Sequence, residues 1–221
     1  MNKVSAIIVA AGEGKRFGSP KQYALLGKKP VLEWSLERFE EHDQVTEIIL
    51  VLEDDSKERE YLSRFGKVSS VTTGGSRRQE SVFSGFSCID AESAGIVLVH
   101  DGARPFISRD LIGRIIEKTR EKGAAVPVVP VDDTIKSVEG EKVVRTEERA
   151  RLFRSQTPQG FLYSVLAPAL VKSREEGFYG TDEASLVERM GKDVFVVSGE
   201  RNNIKITTSL DLKIAEALLD D

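Results

Sequence analysis

Three glycines and three cations crowd one short stretch. Gly12, Gly14 and Gly18 interleave with Lys15, Arg16 and Lys21 in AAGEGKRFGSPKQ, residues 10–22. Glycines let backbone N–H groups come close to an anion, and neighbouring lysines or arginines neutralise it. The chemistry that suits such a stretch is the binding of phosphate groups. A second stretch, VLVHDGARP at 97–105, offers one carboxylate, Asp101, followed by Gly102 and Arg104. An aspartate at the end of an apolar run suits a magnesium ion shared with phosphate oxygens, and Arg104 can fork onto a phosphate. Standing alone, Asp101 reads more readily as a turn or helix cap. His100 has no second histidine or cysteine close by in the chain, so it reads as a packed neighbour rather than a ligand.

Charge distribution supports a small anion as the partner. The chain of 221 residues carries a net charge of −4. Residues 1–30 nevertheless hold Lys3, Lys15, Arg16, Lys21, Lys28 and Lys29 against Glu13 alone. A basic patch inside an acidic protein attracts a compact anion better than a nucleic-acid duplex. A solvated lysine-rich loop would have the same composition. Hydrophobic residues at 40% and charged residues at 31% exclude a disordered chain. A single cysteine, Cys88, excludes an intrachain disulfide and agrees with a reducing compartment. No apolar run approaches the roughly 20 residues that cross a bilayer. The N-terminal apolar run leads into the glycine-rich stretch rather than a cleavage site. The expectation is a cytoplasmic protein that engages neither membrane nor nucleic acid.

The elements that must position these residues follow from periodicity. Val4–Ala10, Thr46–Leu52 and Gly95–His100 are continuous apolar, β-branched runs of the kind expected for strands buried on both faces. Ala124–Val131 reads as a further strand, and Lys67–Thr73 as a shorter one. Helical patterns follow Pro30 and cover Ser56–Phe65, Arg77–Asp90 and Arg109–Lys122. Strands alternating with helices predict an α/β fold with a mostly parallel, doubly wound sheet in one domain spanning 1–221. In such sheets ligands sit beyond the carboxyl ends of strands, which is where both stretches fall.

The alternation breaks between about Asp132 and Gln159. TIKSV and KVVRT flank Glu139-Gly140-Glu141 and read as a β-hairpin. Arg145, Arg149, Arg151 and Arg154 follow in a charged run. The whole segment is expected to leave the sheet as an arm that docks on a partner surface. Beyond Pro158 the pattern resumes with helices Ser164–Glu176 and Asp182–Met190, strands Val194–Ser198 and Ile204–Thr207, and a final helix Leu210–Leu219.

Two familiar phosphate motifs fail here. The dinucleotide fingerprint needs its third glycine one residue before Gly18, and the P-loop needs a serine or threonine where Arg16 stands. Taken together, however, AAGEGKRFGSPKQY (10–23), GGSRRQESV (74–82), VHDGARP (99–105), PVDDTIK (130–136), TPQGF (157–161), TDEAS (181–185) and NNIKIT (202–207) occur in the order of a known family. The chain resembles the 2-C-methyl-D-erythritol 4-phosphate cytidylyltransferases of the non-mevalonate isoprenoid pathway over its whole length.

That resemblance implies a Rossmann-like nucleotidyltransferase fold whose β-arm clasps a second subunit in a homodimer. It implies transfer of a cytidylyl group from CTP to a polyol phosphate, with Mg2+ assistance. Ala10, Ala11, Gly12 and Gly14 would line the triphosphate and cytosine site, with Arg16, Lys21 and Lys205 as catalytic cations. Gly75 and Ser81 would meet the base and ribose, Arg78 would support that wall, and Asp101 would hold the metal. Gly102, Arg104, Thr134, Arg149 and Thr181 are expected on the acceptor side, Arg149 reaching the neighbouring subunit's site. Two departures stand out. Asn202 and Asn203 lie where related folds often have a second metal carboxylate, and Ser76 occupies a position held by aspartate in some members. A ribitol 5-phosphate cytidylyltransferase shares almost all of these motifs. A non-catalytic nucleotide-binding module is opposed by the retention of both Lys21 and Lys205, and a nicotinamide-dependent reductase by the failed fingerprint.

Overall fold

The computed structural model describes residues 3–219. Its centre is an eight-stranded sheet built from the apolar runs. β1 (Lys3–Val9), β4 (Glu47–Leu52), β5 (Val68–Thr73) and β6 (Ala94–Asp101) form a parallel block in the order β6-β1-β4-β5. Successive β1 side chains point to opposite faces, and both faces are covered. Ala6 and Ile8 pack with Leu32 and Leu36 of α1 (Val31–Glu40), and with Leu111 and Ile115 of α4 (Arg109–Lys122). Tyr61 of α2 (Glu58–Arg64) joins that side. Ile7 instead packs with Val82 of α3 (Arg78–Phe86), Leu166 of α5 (Tyr163–Glu175) and Leu186 of α6 (Glu183–Arg189). Burial on both sides is why these strands lack polar alternation. The sheet is doubly wound, as periodicity predicted.

The other half of the sheet departs from the expectation. β7 (Ala124–Pro130) pairs in parallel with β12 (Phe195–Ser198), but β11 (Gln159–Leu162) lies between β6 and β7 and runs antiparallel to both. β10 (Phe153–Ser155) also pairs antiparallel with β7. The segment expected to be an arm up to Gln159 therefore returns to the central sheet from Phe153 onward. What leaves the sheet is the hairpin β8 (Lys136–Glu139) and β9 (Lys142–Thr146), a separate two-stranded unit. Glu139 pairs with Lys142, and Gly140 takes a positive φ of 57° at the turn. β11 was illegible because a four-residue run beside a proline carries too little pattern.

A small hairpin, β2 (Leu25–Leu26) with β3 (Lys29–Pro30), precedes α1. The chain ends in α7 (Ser209–Leu219). The strand expected at Ile204–Thr207 does not form; that segment crosses the mouth of the sheet without ladder partners. Among the described residues no helix is long and apolar enough to cross a membrane.

Candidate active site

A cleft of about 360 Å³ opens beyond the carboxyl ends of β1 and β6. Its first wall is the glycine-rich loop. Gly14 adopts φ +69°, and a Cβ there would lie 1.8 Å from the Ser19 carbonyl oxygen, so only glycine permits this turn. Phe17 and Gly18 N–H groups both donate to Gly14 O and close the loop on itself. Lys21 follows in a short helical turn, Lys21–Tyr23, that aims back at the cleft.

The second wall is the Gly74–Gly75 turn at the start of α3. A Cβ on Gly74 would meet the Ala11 Cβ at 2.3 Å, and one on Gly75 would meet the Glu80 Cβ at 2.4 Å. The absence of a Cβ at Gly74 lets the two walls approach closely, and at Gly75 it lets the turn pack onto α3. Gly75 N–H donates to Ser81 Oγ (3.1 Å), and Ser76 Oγ donates to Glu80 Oε2 (2.8 Å). Glu80 in turn caps the Arg77 N–H and anchors the N-terminus of α3.

Asp101 forms the floor, and three cations surround it. Arg78 Nε donates to its Oδ1 (2.8 Å), Lys205 Nζ lies 2.8 Å from its Oδ2, and Arg104 Nε lies 3.7 Å from Oδ2. Burial would raise the carboxyl's pKa, but these cations hold it far below the usual carboxylate range. The pKa of Lys21 is lowered as well, by burial and by the nearby Lys205. The cleft thus holds a fixed negative charge and an excess of positive charge, an arrangement complementary to a polyphosphate.

Behind the floor, buried polar groups fix Asp101 in place. Its N–H donates to Thr157 Oγ1 (3.0 Å), and that hydroxyl donates to His100 Nδ1 (3.1 Å). His100 Nε2–H then donates to Arg104 O (3.3 Å). Complete burial pushes His100 down to about 3, which keeps the ring neutral. Its ring packs tilted against Phe39, with centroids 4.9 Å apart, and lies outside the cleft lining, the packed neighbour expected from the sequence.

Arg78 does more than support a wall. Its Nη1 donates to both oxygens of Glu183, at 2.7 and 2.8 Å, while Nε holds Asp101. Glu183 is 1% exposed and begins α6, so this guanidinium bonds two carboxylates from segments far apart in the chain. Removing one partner of a buried ion pair costs about 3–5 kcal/mol, because the remaining charge stays buried. Arg78→Met should therefore lower unfolding free energy by roughly that amount in denaturant titration. A loss under about 1 kcal/mol would mean that water replaces the guanidinium.

Every residue expected at the nucleotide or at the reacting phosphate lines this one cleft: Ala10, Ala11, Gly12, Gly14, Arg16, Lys21, Gly75, Ser81, Asp101 and Lys205. The acceptor-side residues do not. Gly102 is buried behind the wall, where a Cβ would press Leu32 at 2.9 Å and Ala10 at 3.2 Å. Arg104, expected to fork onto a phosphate, spends its Nη1 on Asn203 O (2.8 Å) and ties the 202–207 segment to the loop that follows β6. Thr134 and Thr181 are exposed and outside the lining. Arg149 is exposed in a separate groove with Pro130, Leu152 and Phe153, and its Nη1 donates to Asp132 O (2.7 Å). Sequence reasoning missed Gln22, Arg77 and Thr207 among the lining residues, and also Glu183. Only its place in TDEAS marked Glu183, since no spacing rule links residues 78 and 183.

Comparison with known proteins agrees with this geometry. The family model of IspD, 2-C-methyl-D-erythritol 4-phosphate cytidylyltransferase, matches residues 4–221. The 2-C-methyl-D-erythritol 4-phosphate cytidylyltransferase of Bacillus velezensis is 45% identical over 220 residues, covering 96% of this chain and 94% of that protein. Its counterpart in Alkaliphilus metalliredigens is 44% identical, covering 99% and 94%. Among solved structures, the 4-diphosphocytidyl-2C-methyl-D-erythritol synthase of Anaerococcus prevotii superposes with a TM-score of 0.88 at 33% identity, covering 100% of this chain and 97% of that one. The Thermus thermophilus 2-C-methyl-D-erythritol 4-phosphate cytidylyltransferase gives 0.83 at 36% identity, covering 99% and 100%. A glycine-walled cleft with cations gathered on one aspartate, and relatedness along nearly the whole chain, lead to one assignment: the protein belongs to the 2-C-methyl-D-erythritol 4-phosphate cytidylyltransferase family.

Proposed function

We propose that the protein transfers a cytidylyl group from CTP to 2-C-methyl-D-erythritol 4-phosphate, giving 4-diphosphocytidyl-2-C-methyl-D-erythritol and pyrophosphate. The observation that carries this reading is the gathering of Arg78, Lys205 and Arg104 around Asp101 in a glycine-lined cleft that Lys21 also lines. A phosphate oxygen of the acceptor attacks the α-phosphorus of CTP, a new P–O–P linkage forms, and the bond to the β-phosphate oxygen breaks. No carbon is oxidised, and the phosphate monoester needs no strong base to become a nucleophile. The barrier is the meeting of two anions, so positioned cations do the work. Backbone N–H groups of 10–14 receive the triphosphate, Arg16 and Lys21 neutralise it, and Lys205 faces the α-phosphate. Gly75 and Ser81 present backbone and hydroxyl groups to the small cytosine edge.

Asp101 fits a magnesium site of the one-carboxylate kind. It is ionised and lines the cleft. No group of three histidine, cysteine or acidic side chains able to hold a metal occurs among the described residues. The remaining oxygens would come from phosphate and water, a donor set magnesium accepts. Bound there, the ion would screen charge between the reacting phosphates. Lys205, whose side chain is 34% exposed, is free enough to exchange Asp101 for a phosphate oxygen.

The acceptor site is assembled from two chains in this reading. The β8–β9 hairpin leaves Val138, Val143 and Val144 more than half exposed, and Phe153 at its base likewise. Two isolated strands are barely stable in water, so a second copy is the natural cover, through a two-fold contact. Thr134 and Arg149, which flank that hairpin, then contact the acceptor with Thr181. A lone exposed cysteine suits a reducing compartment such as the cytoplasm.

The deciding experiment offers CTP, ATP, GTP and UTP in turn, each with magnesium and either methylerythritol phosphate or ribitol 5-phosphate, and follows pyrophosphate. The expected result is release with CTP and methylerythritol phosphate at least about tenfold faster than with any other pairing. Equal turnover of all four nucleotides would overturn the cytidylyl reading, and faster turnover of the ribitol ester would overturn the acceptor.

A further inference from the structure

Lys205 reaches the cleft from a segment, 203–208, that belongs to no helix or strand, so no ladder fixes it. Ile206 provides one anchor. It is fully buried with Leu26, Val31 and Ala215, and its N–H donates to Ala103 O (2.9 Å). The second anchor is Asp211, in the first turn of α7. A single oxygen of that carboxylate, Oδ2, accepts from Thr207 N–H (2.9 Å), Thr208 N–H (2.7 Å) and Thr208 Oγ1 (3.0 Å). Thr207 Oγ1 passes the connection on, donating to Lys205 O (3.2 Å).

A plain helix cap accounts for part of this. Thr208 and Asp211 bond reciprocally, Asp211 N–H donating to Thr208 Oγ1 at 3.4 Å, as capping residues do. It does not account for Thr207, which lies outside the helix, lines the cleft and gains nothing for α7 by donating to the carboxylate. Asp211 is also close enough to Lys21 for each to influence the other's charge. Burial acts to raise its carboxyl's pKa, but the Thr208 and Thr207 bonds and Lys21 keep it below the ordinary range.

We infer that Asp211 is a positioning residue: it ties the 205–208 segment to α7 and thereby sets where the Lys205 ammonium stands against the α-phosphate. Buried Ile206 fixes the height of the segment, and Asp211 fixes its rotation. Without the carboxylate, Thr207 and Thr208 lose their acceptor and Lys205 can swing while remaining in the cleft. The inference rests on Lys205 acting at the reacting phosphorus.

A double-substitution cycle tests it. Asp211→Ala should lower kcat about tenfold, with KM for CTP within about twofold of the parent. Lys205→Ala should lower kcat by about 10²–10³. The double variant should be no more than about twofold slower than Lys205→Ala alone, since a misplaced lysine cannot be lost twice. Defects that multiply, or an Asp211→Ala enzyme with parental kcat, would overturn the inference. If thermal melting shows Asp211→Ala unfolded, the same cycle is run with Asp211→Leu, which keeps the side chain's bulk but removes the acceptor oxygens, and is read by the same criterion. A Lys205→Ala enzyme with parental turnover overturns the role of Lys205 itself and this inference with it, and is recognised from that single variant.

Discussion

Lys21→Ala and Lys205→Ala should each lower turnover by about 10²–10³ while weakening CTP binding far less. The expectation follows from where their charges stand. Lys205 contacts Asp101, and burial together with the nearby Lys205 charge lowers the pKa of Lys21. Two cations held together against their own repulsion are unfavourable until something more negative arrives. The triphosphate supplies part of that charge. The crowded α-phosphorus of the transition state, where the incoming and leaving oxygens share negative charge, supplies more. Each lysine is therefore stabilised most at the top of the barrier, and its removal falls on kcat. Calorimetric titration of CTP beside initial rates separates the two effects. If lost affinity accounted for the whole defect, the lysines would bind nucleotide and do nothing further.

The second large effect concerns the arm. Arg149→Ala and Lys21→Ala enzymes, each nearly inactive, should recover about a quarter of parental activity when mixed in equal amounts and allowed to exchange subunits. Half of the dimers would then be mixed, and one site in each would combine an intact Lys21 with an intact Arg149 from its neighbour. The structural ground is that Arg149 does not line the cleft of its own chain, while the hairpin next to it exposes Val138, Val143 and Val144. Recovery is read by pyrophosphate release, and exchange is verified by mass. No recovery in verified mixed dimers would place Arg149 in its own chain's chemistry or leave it a solvated charge.

The sequence alone determined the parallel block of the sheet, because strands buried on both faces must be apolar at every position and so stand out as continuous runs such as VSAIIVA and GIVLVH. It also determined the first wall of the cleft. A turn as tight as the one at Gly14 admits no Cβ, and an anion site beside it needs nearby cations, so both requirements are written locally. Tertiary structure decided what depends on contacts between distant residues. Glu183 becomes the partner of Arg78 only because α6 ends up beside α3. Arg104, which local spacing marked for a phosphate, is instead turned to Asn203 because the 202–207 segment crosses in front of β6. That same segment reads as a strand from its β-branched residues but finds no edge to pair with, and its shape is set by Ile206 in a pocket and Asp211 on the next helix. β11 is the reverse case: a short run with little strand pattern of its own becomes central because β6 and β7 leave unpaired backbone on either side of it. Propensity is a property of neighbours in sequence, whereas hydrogen-bond and charge satisfaction are properties of neighbours in space.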